Sequence, residues 1–331
     1  MDVLKQPHDK YFKATFGKVD FSADFLSNYL PKDLLSMIDM STLEPKKDTY
    51  LDKELKEQFS DLLFQVEINN KEGYIYLLFE HKSYRDKLVI FQVLRYMLEI
   101  WESKIESDKK KRQESDEVAI EGNVEISIIL PVVIYHDKGK WTVKRTLGEL
   151  IPNYGKLSDD IKRYIPNFEY LLFDLSEWNK DAVKLQSENM ISLKALSRTR
   201  HATKKEAIEI LVEAIQLINQ VEEKDSITYY VSECIRYMLS IRDDISEKEM
   251  KKIAERISKE GGELVMSVAE RLRQEGLKEG LEQGIEKGAK KEKIRLAKKV
   301  IIKGYDLNEI IDLTGLTEKE IQKVKEEMLE S

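Results

Sequence analysis

Two short apolar segments joined by a turn constrain the fold of this 331-residue chain more than any other feature. Residues 61–68 read "DLLFQVEI" and residues 74–82 read "YIYLLFEHK", with the length and the β-branched and aromatic content of strands. The residues between them, "NNKEG" (69–73), include Asn and Gly, which tolerate turn conformations. We therefore predict an antiparallel hairpin folded about residue 71.

The segments around this hairpin alternate between helical and extended patterns. Apolar residues recur at helical spacing over 9–30, with an interruption near Gly17, and again over 86–105. The run at 124–136 is rich in β-branched residues and predicts a buried strand that Pro131 splits or bends. The remaining predictions are turns to about residue 58, a mobile charged loop at 106–123, a strand at 168–175 and helices over 176–260. The pattern indicates an α/β fold with a mostly helical C-terminal region.

Composition narrows the class of protein. The net charge is −7, which argues against a polycation that coats nucleic acid. We find no apolar stretch of about 18 residues, so no membrane helix is expected. The N-terminus lacks the apolar core of a signal peptide. The single cysteine, Cys234, excludes an internal disulfide and a Cys-rich zinc site, and we expect a cytoplasmic protein.

Charged residues follow the apolar part of the second predicted strand. Because side chains alternate along a strand, Glu80 and Lys82 share a face. Folding about residue 71 places position 61 opposite position 81, so one residue of register error brings Asp61 beside Glu80 or Lys82. Two adjacent carboxylates are favourable when a cation lies between them, and Mg²⁺ prefers oxygen ligands. The alternative is that these charges only cap the edge of a strand.

A set of motifs resembles a known family. Asp61, "EHK" at 80–82 and "QVLRY" at 92–96 resemble the PD-(D/E)XK nuclease superfamily. The segments "HDKYFKATF", "MSTLEP", "FSDLLFQV", "YIYLLFEHKS", "LRYMLEIWE" and "ILPVVIYH" together resemble the Rpn family of recombination-promoting nucleases, also called YhgA-like transposases. The resemblance covers roughly residues 7–175.

The resemblance implies a restriction-endonuclease-like core of PD-(D/E)XK type over 1–175, with the site at one end of a central sheet flanked by helices. It implies that Asp61 and Glu80 bind Mg²⁺ or Mn²⁺ together with the backbone carbonyl of His81. Asp9, on the first helix, is a further candidate ligand of a metal-bound water. Its alternative roles are a helix N-cap or a surface salt bridge.

The same resemblance assigns roles in hydrolysis. Lys82 corresponds to the catalytic lysine, a position where many family members carry Gln. Gln92 and Tyr96 would approach the substrate from the helix after the hairpin. The implied activity is metal-dependent endonucleolytic cleavage of DNA, associated with recombination or mobile DNA. The alternative is a catalytically silent nuclease fold that acts by binding protein or DNA.

Other site motifs are absent or weak. The sequence has neither a P-loop nor a GxGxxG after a strand, so nucleotide sites of these types are not supported. The four histidines, His8, His81, His136 and His201, show no close metal-ligand spacing. Tyr135 and His136 end the predicted strand and border the site or merely cap a core strand.

The C-terminal region divides into a helical region at 176–264 and a glycine-containing region at 265–331. Glycines at 276, 280, 284 and 288 each cost a helix about 1 kcal/mol relative to alanine. Their spacing keeps them near one face, which favours helix–helix contact and a homo-oligomer, or marks a variable spacer. Residues 271–300 carry ten Lys or Arg and five Glu, so this stretch contacts DNA backbone or is a solvated face.

The last 35 residues predict three short helices that resemble a helix-turn-helix. Gly304 ends the first helix, and Asp306 with Glu309 and Thr317 with Glu320 form capping boxes for the others. The would-be recognition helix carries more acids than bases, which is unfavourable beside phosphates. We therefore favour a packing or oligomerisation unit over a DNA reader.

Overall fold

A computed structural model describes residues 6–46, 60–80, 87–114, 125–177, 185, 187–220 and 224–329. The chain forms two compact units that meet in sequence between Ala269 and Glu270. The first unit holds a sheet and the helices around it, and the second is wholly helical in its described part. None of the helices in the described residues has the length and apolar character needed to span a membrane.

The strands are β1 (Ile38–Lys46), β2 (Ser60–Ile68), β3 (Lys71–Glu80), β4 (Ile128–Tyr135) and β5 (Leu171–Asp174). The helices of the first unit are α1 (Pro7–Phe16), α2 (Val19–Tyr29), α3 (Lys32–Leu35), α4 (Val89–Glu114), α5 (Asp159–Lys162), α6 (Ser187–Arg198), α7 (Lys204–Ile218), α8 (Lys224–Ile241) and α9 (Glu247–Ile257). Helix α10 (Lys259–Ile302) passes from the first unit into the second, which also contains α11 (Leu307–Thr314) and α12 (Glu318–Leu329).

In the described residues the strands form one sheet in the order β1-β2-β3-β4-β5. Strands β1, β2 and β3 are antiparallel neighbours, whereas β3, β4 and β5 run parallel. Helix α4 makes the connection between the parallel strands β3 and β4. The α/β class predicted from the sequence is confirmed.

The hairpin register differs from the prediction. The turn consists of Asn69 and Asn70, both with positive φ (54° and 58°), and β3 begins at Lys71. Gly73, which we assigned to the turn, lies inside β3, where a Cβ would come within 2.6 Å of the Ile68 side chain. A two-residue turn of this kind matches the twist of the strands. Position 61 therefore lies opposite Leu78 and not opposite position 81.

Strand β1 was missed, because 31–58 was interpreted as turns. Its sequence, "IDMSTLEPK", contains residues that are poor strand formers. The strand lies at the sheet edge, where β-bulges and Pro are tolerated. Its register with β2 shifts between Asp39 and Glu44, and Asp39 accepts hydrogen bonds from both the backbone and the hydroxyl of Ser41.

Pro131 does not split the predicted strand. It lies within β4, opposite Tyr76 of β3. Pairing between β4 and β5 begins only at Val132, opposite Leu171. The side of β4 that faces β5 is therefore unpaired at Pro131, so the missing N–H need not cost a ladder hydrogen bond.

Helix α4 is longer than the predicted 86–105. It continues through residues that we interpreted as a mobile loop, ending at Glu114, while 115–124 lies outside the described residues. The extension is rich in Lys, Glu, Arg and Gln, which are good helix formers. Lys104 also forms ion pairs with Asp108 one turn later and with Glu72 of β3.

The two faces of the sheet are covered by different helices. Tyr76 and Leu78 share a hydrophobic cluster with residues of α4, including Val93. On the opposite face, Phe79 stacks on Phe12 of α1 at a centroid distance of 4.4 Å. Helix α8 covers α1 in turn, with Tyr237 stacked on Tyr11 at 4.4 Å. The sheet is thus buried between α4 and a helical layer that begins with α1.

In the second unit, α10 contributes Ala297 and Val300 to a small core with α11 and α12. The predicted capping boxes are confirmed: Asp306 and Glu309 cap α11, and Thr317 and Glu320 bond reciprocally at the start of α12. The first of the three predicted short helices is instead the end of the 44-residue α10. Gly304 has φ of 78° just after that helix.

Candidate active site

The two candidate metal-binding acids lie on one face of the sheet. Glu80 ends β3 with 2% of its surface exposed, and Asp61 lies near the start of β2 with 6% exposed. Paired residues of antiparallel strands point to the same face, so the pairing of Asp61 with Leu78 places Asp61 and Glu80 diagonally on a common face. The shift in register thus preserves the proximity on which the prediction depended.

Strand β4 ends at the same edge of the sheet. Glu80 lies opposite Tyr135, and the backbone N–H of His136 donates to the Glu80 carbonyl at 2.9 Å. Tyr135 is fully buried and packs against Trp141 with ring centroids 4.8 Å apart. Tyr135 is therefore a core residue, while the backbone of His136 fixes the end of the strand that carries Glu80.

Helix α4 lies over the face that carries the two acids. Tyr96 is fully buried, with its ring centroid 5.0 Å from that of Tyr76. Gln92, one turn earlier, is half-buried, and its amide nitrogen has no hydrogen-bond partner in the described part of the chain. The structure therefore brings Tyr96 beside Asp61 and leaves a donor on Gln92 for another group.

The Asp61 carboxylate influences two buried phenols. Burial raises the pKa of both Tyr76 and Tyr96, and the negative charge of Asp61 raises each pKa further. Glu99, on the next turn of α4, adds to the effect at both tyrosines. Both phenols therefore remain protonated at neutral pH and can donate hydrogen bonds beside Asp61.

Asp9 lies on α1 and is buried, with 7% of its surface exposed. The N-cap of α1 is Gln6, so Asp9 does not have the N-cap role, and its burial places it below the protein surface. Its neighbour His8 approaches His136, with ring centroids 5.5 Å apart. The N-terminal turn of α1 therefore reaches the edge of the sheet where β3 and β4 end.

Sequence reasoning missed several residues here. We assigned no role to Tyr76 or Glu99, although both lie in segments that carry the family resemblance and Tyr76 shares the alternation of Leu78 and Glu80. Three histidines also converge, with the His136 ring 6.5 Å from His201 as well as 5.5 Å from His8. Such long-range contacts leave no spacing signal in the sequence.

The residues present fit a magnesium site of few protein ligands. In the ranges that the structure describes, no group of three or more His, Cys, Asp or Glu is arranged to hold a metal, and this includes the three histidines. Asp61 and Glu80 supply two buried carboxylates, and Mg²⁺ is commonly held by one or two carboxylates and several waters. His81 and Lys82 lie outside the described residues.

Comparison with known proteins places these residues in a family context. Residues 6–228 match the family described as "Putative transposase, YhgA-like". Recombination-promoting nucleases RpnA and RpnC of Escherichia coli (strain K12) are 24% and 25% identical, covering 95% and 96% of this chain and 96% of each relative. The inactive recombination-promoting nuclease-like protein RpnE of the same strain is 26% identical over 95% of this chain and 96% of its own. No solved structure matches the chain.

Proposed function

Because the chain belongs to the family of YhgA-like transposases, we propose that it is a divalent-metal-dependent endonuclease that hydrolyses DNA in the cytoplasm. The observation that carries this proposal is the pair of buried carboxylates, Asp61 and Glu80, on one face at the end of β3. Relatives that span almost the whole chain are named recombination-promoting nucleases, which supports a nuclease associated with recombination.

The proposed core is of PD-(D/E)XK type. A central sheet lies between α4 and α1, and the carboxylates lie at one end of it. Asp61 and Glu80 would hold Mg²⁺ or Mn²⁺ with the His81 carbonyl, and Asp9 is a candidate ligand of a metal-bound water. A bound divalent cation polarises a phosphoryl oxygen and activates water.

The remaining site residues act on water and substrate. Lys82 would orient the attacking water, because an ammonium group beside a metal-bound water can donate to it. Gln92 would bind the DNA strand through its buried amide nitrogen, which has no partner among the described residues. Tyr96, one turn after Gln92 on α4, packs against Tyr76 and lies beside Asp61.

A plasmid-nicking assay in Mg²⁺ tests the proposal. Glu80→Gln should lower cleavage by more than about 100-fold, because loss of residues that merely support metal ligands already costs about 10–100-fold. Glu67→Gln, an exposed carboxylate on β2, is the matched control and should cleave like wild type. Equal cleavage by both variants would overturn the assignment.

A second candidate is a catalytically silent nuclease fold that binds protein or DNA. The observation in its favour is that the relative RpnE is described as inactive, although it is as similar to this chain as RpnA is. Wild-type protein that binds a DNA fragment but leaves plasmid intact in both Mg²⁺ and Mn²⁺ would support this candidate over the enzyme.

We also propose that the second unit mediates self-association. The positions where side chains would begin at Gly276, Gly280, Gly284 and Gly288 are open, and Leu277, Leu281 and Ile285 beside them are 64–77% exposed. Residues 275–286 contain four Glu and one Lys, whereas 287–299 contain seven Lys or Arg and one Glu. An antiparallel second copy would bring opposite charges together, whereas the basic segment alone would contact DNA.

A further inference from the structure

Tyr76 lies at the centre of the face that carries the candidate acids. It is in β3, two residues before Leu78, which pairs with Asp61. Diagonal neighbours in an antiparallel pair are about 7–8 Å apart at Cα, a distance that a tyrosine side chain spans. Tyr76 is 1% exposed, so its hydroxyl has been withdrawn from water next to a carboxylate.

A buried hydroxyl needs a partner, and the surroundings of Tyr76 limit the choice. Its oxygen has no completed hydrogen bond among the described residues. Tyr96 is in ring contact at 5.0 Å, and Asp61 and Glu99 are the carboxylates whose charges act on the Tyr76 hydroxyl. Leaving such a group without a partner is unfavourable, which favours donation to a nearby carboxylate.

We propose that Tyr76 is a positioning residue, which holds the Asp61 carboxylate in the orientation that a divalent cation requires. A carboxylate that accepts a hydrogen bond on one oxygen presents the other oxygen in a fixed direction, and such support raises metal affinity. Mg²⁺ demands near-ideal octahedral geometry, so it is sensitive to this orientation. The inference rests on the proposed function, because it takes Asp61 as a metal ligand.

The chain offers a matched control for removing this hydroxyl. Tyr74 lies two residues earlier on the same strand face and in the same hydrophobic cluster. Its hydroxyl donates to Glu72 at 2.8 Å. Tyr74 pairs with Gln65 on β2, four residues along the strand from Asp61. Tyr76→Phe and Tyr74→Phe therefore remove the same atom from the same strand, and only the first removes a donor beside the candidate ligand.

The decisive measurement is Mn²⁺ affinity by titration calorimetry of the full chain, without DNA. Tyr76→Phe should weaken Mn²⁺ binding by about 10–100-fold, and Tyr74→Phe should leave it unchanged. In cleavage assays, Tyr76→Phe should need more Mn²⁺ for half-maximal activity and recover at saturating Mn²⁺. A merely structural role would lower activity at all Mn²⁺ concentrations.

Each result bears on the inference. Wild-type Mn²⁺ affinity in folded Tyr76→Phe would overturn it, as would equal weakening in both variants. If Tyr76→Phe does not fold in EDTA, Tyr96→Phe tests the other hydroxyl beside Asp61. A loss of Mn²⁺ affinity of about 10–100-fold there would assign the role to Tyr96 and overturn the inference, and unchanged affinity would leave Tyr76 as the donor. Wild-type protein that binds no Mn²⁺ would instead overturn the metal-site proposal, and this inference with it.

Discussion

Replacing Asp61 by Asn should separate the effect of the two acids on folding stability from their role in metal binding. Without metal, Asp61 and Glu80 are two buried carboxylates on one sheet face. At a diagonal separation of about 7.5 Å and an effective dielectric constant of about 20, the repulsion between them when both are ionised is about 2 kcal/mol. Asn keeps a carbonyl oxygen that can accept from a tyrosine while removing the charge. In EDTA, Asp61→Asn should therefore be more stable than wild type by up to about 2 kcal/mol.

Metal should reverse this order. At a concentration 100 times its Kd, a ligand that binds only the folded state stabilises it by about 2.7 kcal/mol. For a chain of this size, 1 kcal/mol corresponds to about 2 °C in Tm, so wild type should gain about 5 °C and Asp61→Asn far less. Differential scanning fluorimetry in EDTA and in Mn²⁺ measures both, with Glu67→Gln as the control. An Asn variant that is less stable in EDTA yet gains the same 5 °C would refute the reasoning.

Three other features give separate tests. Burial raises the pKa of the Cys234 thiol to about 12, so Ellman's reagent at pH 8 should react only after denaturant is added, and fast reaction of native protein would contradict the buried position. The hydrogen bond from Lys290 holds the pKa of Glu320 at about 2, below its ordinary value of 4.5. The stabilisation that ionised Glu320 gives the folded state is therefore complete above about pH 4.5 and is lost as pH falls to 2. The Tm difference between wild type and Glu320→Gln should disappear over that interval. A Tm difference that does not depend on pH would exclude the Glu320 carboxylate as its source. Replacing Gly276, Gly280, Gly284 and Gly288 by Ala should raise the helicity measured by circular dichroism, since each change favours a helix by about 1 kcal/mol. If the glycines contact a second copy, light scattering of this variant should show a smaller species. An unchanged mass would argue for a spacer.

Local signals in the sequence predicted local structure well. The capping boxes at Asp306 and Thr317, the break near Gly17 and the hairpin strands were all recognised from nearby residues. Strand β1 escaped because an edge strand with a bulge does not need strong strand formers. The length of α4 was underestimated because its last turns are charged and rest partly on ion pairs that begin at Lys104.

Only the candidate-site residues that belong to the nuclease-like motif were predicted from the sequence. Asp61 and Glu80 were chosen as candidates because acids at strand ends are conspicuous. Tyr76 was not, since a tyrosine among apolar strand residues is indistinguishable from core until its hydroxyl is placed beside a carboxylate. The approach of His8 to His136 depends on how α1 packs against the sheet, which no short segment encodes.

The turn at Asn69 and Asn70 sets the strand register at the candidate site, which lies at the far end of the hairpin. Ten residues at about 3.3 Å each put Glu80 roughly 33 Å from the turn along β3. Every pairing between these points is counted from the turn, and one added residue that shifted the count would exchange the faces of the two strands relative to each other. Asp61 would then point away from Glu80 although neither acid had changed. Surface loops usually tolerate insertions, but the length of this turn sets the register of the two strands that carry the acids. A change in the length of this hairpin can therefore separate Asp61 from Glu80 while every motif residue remains.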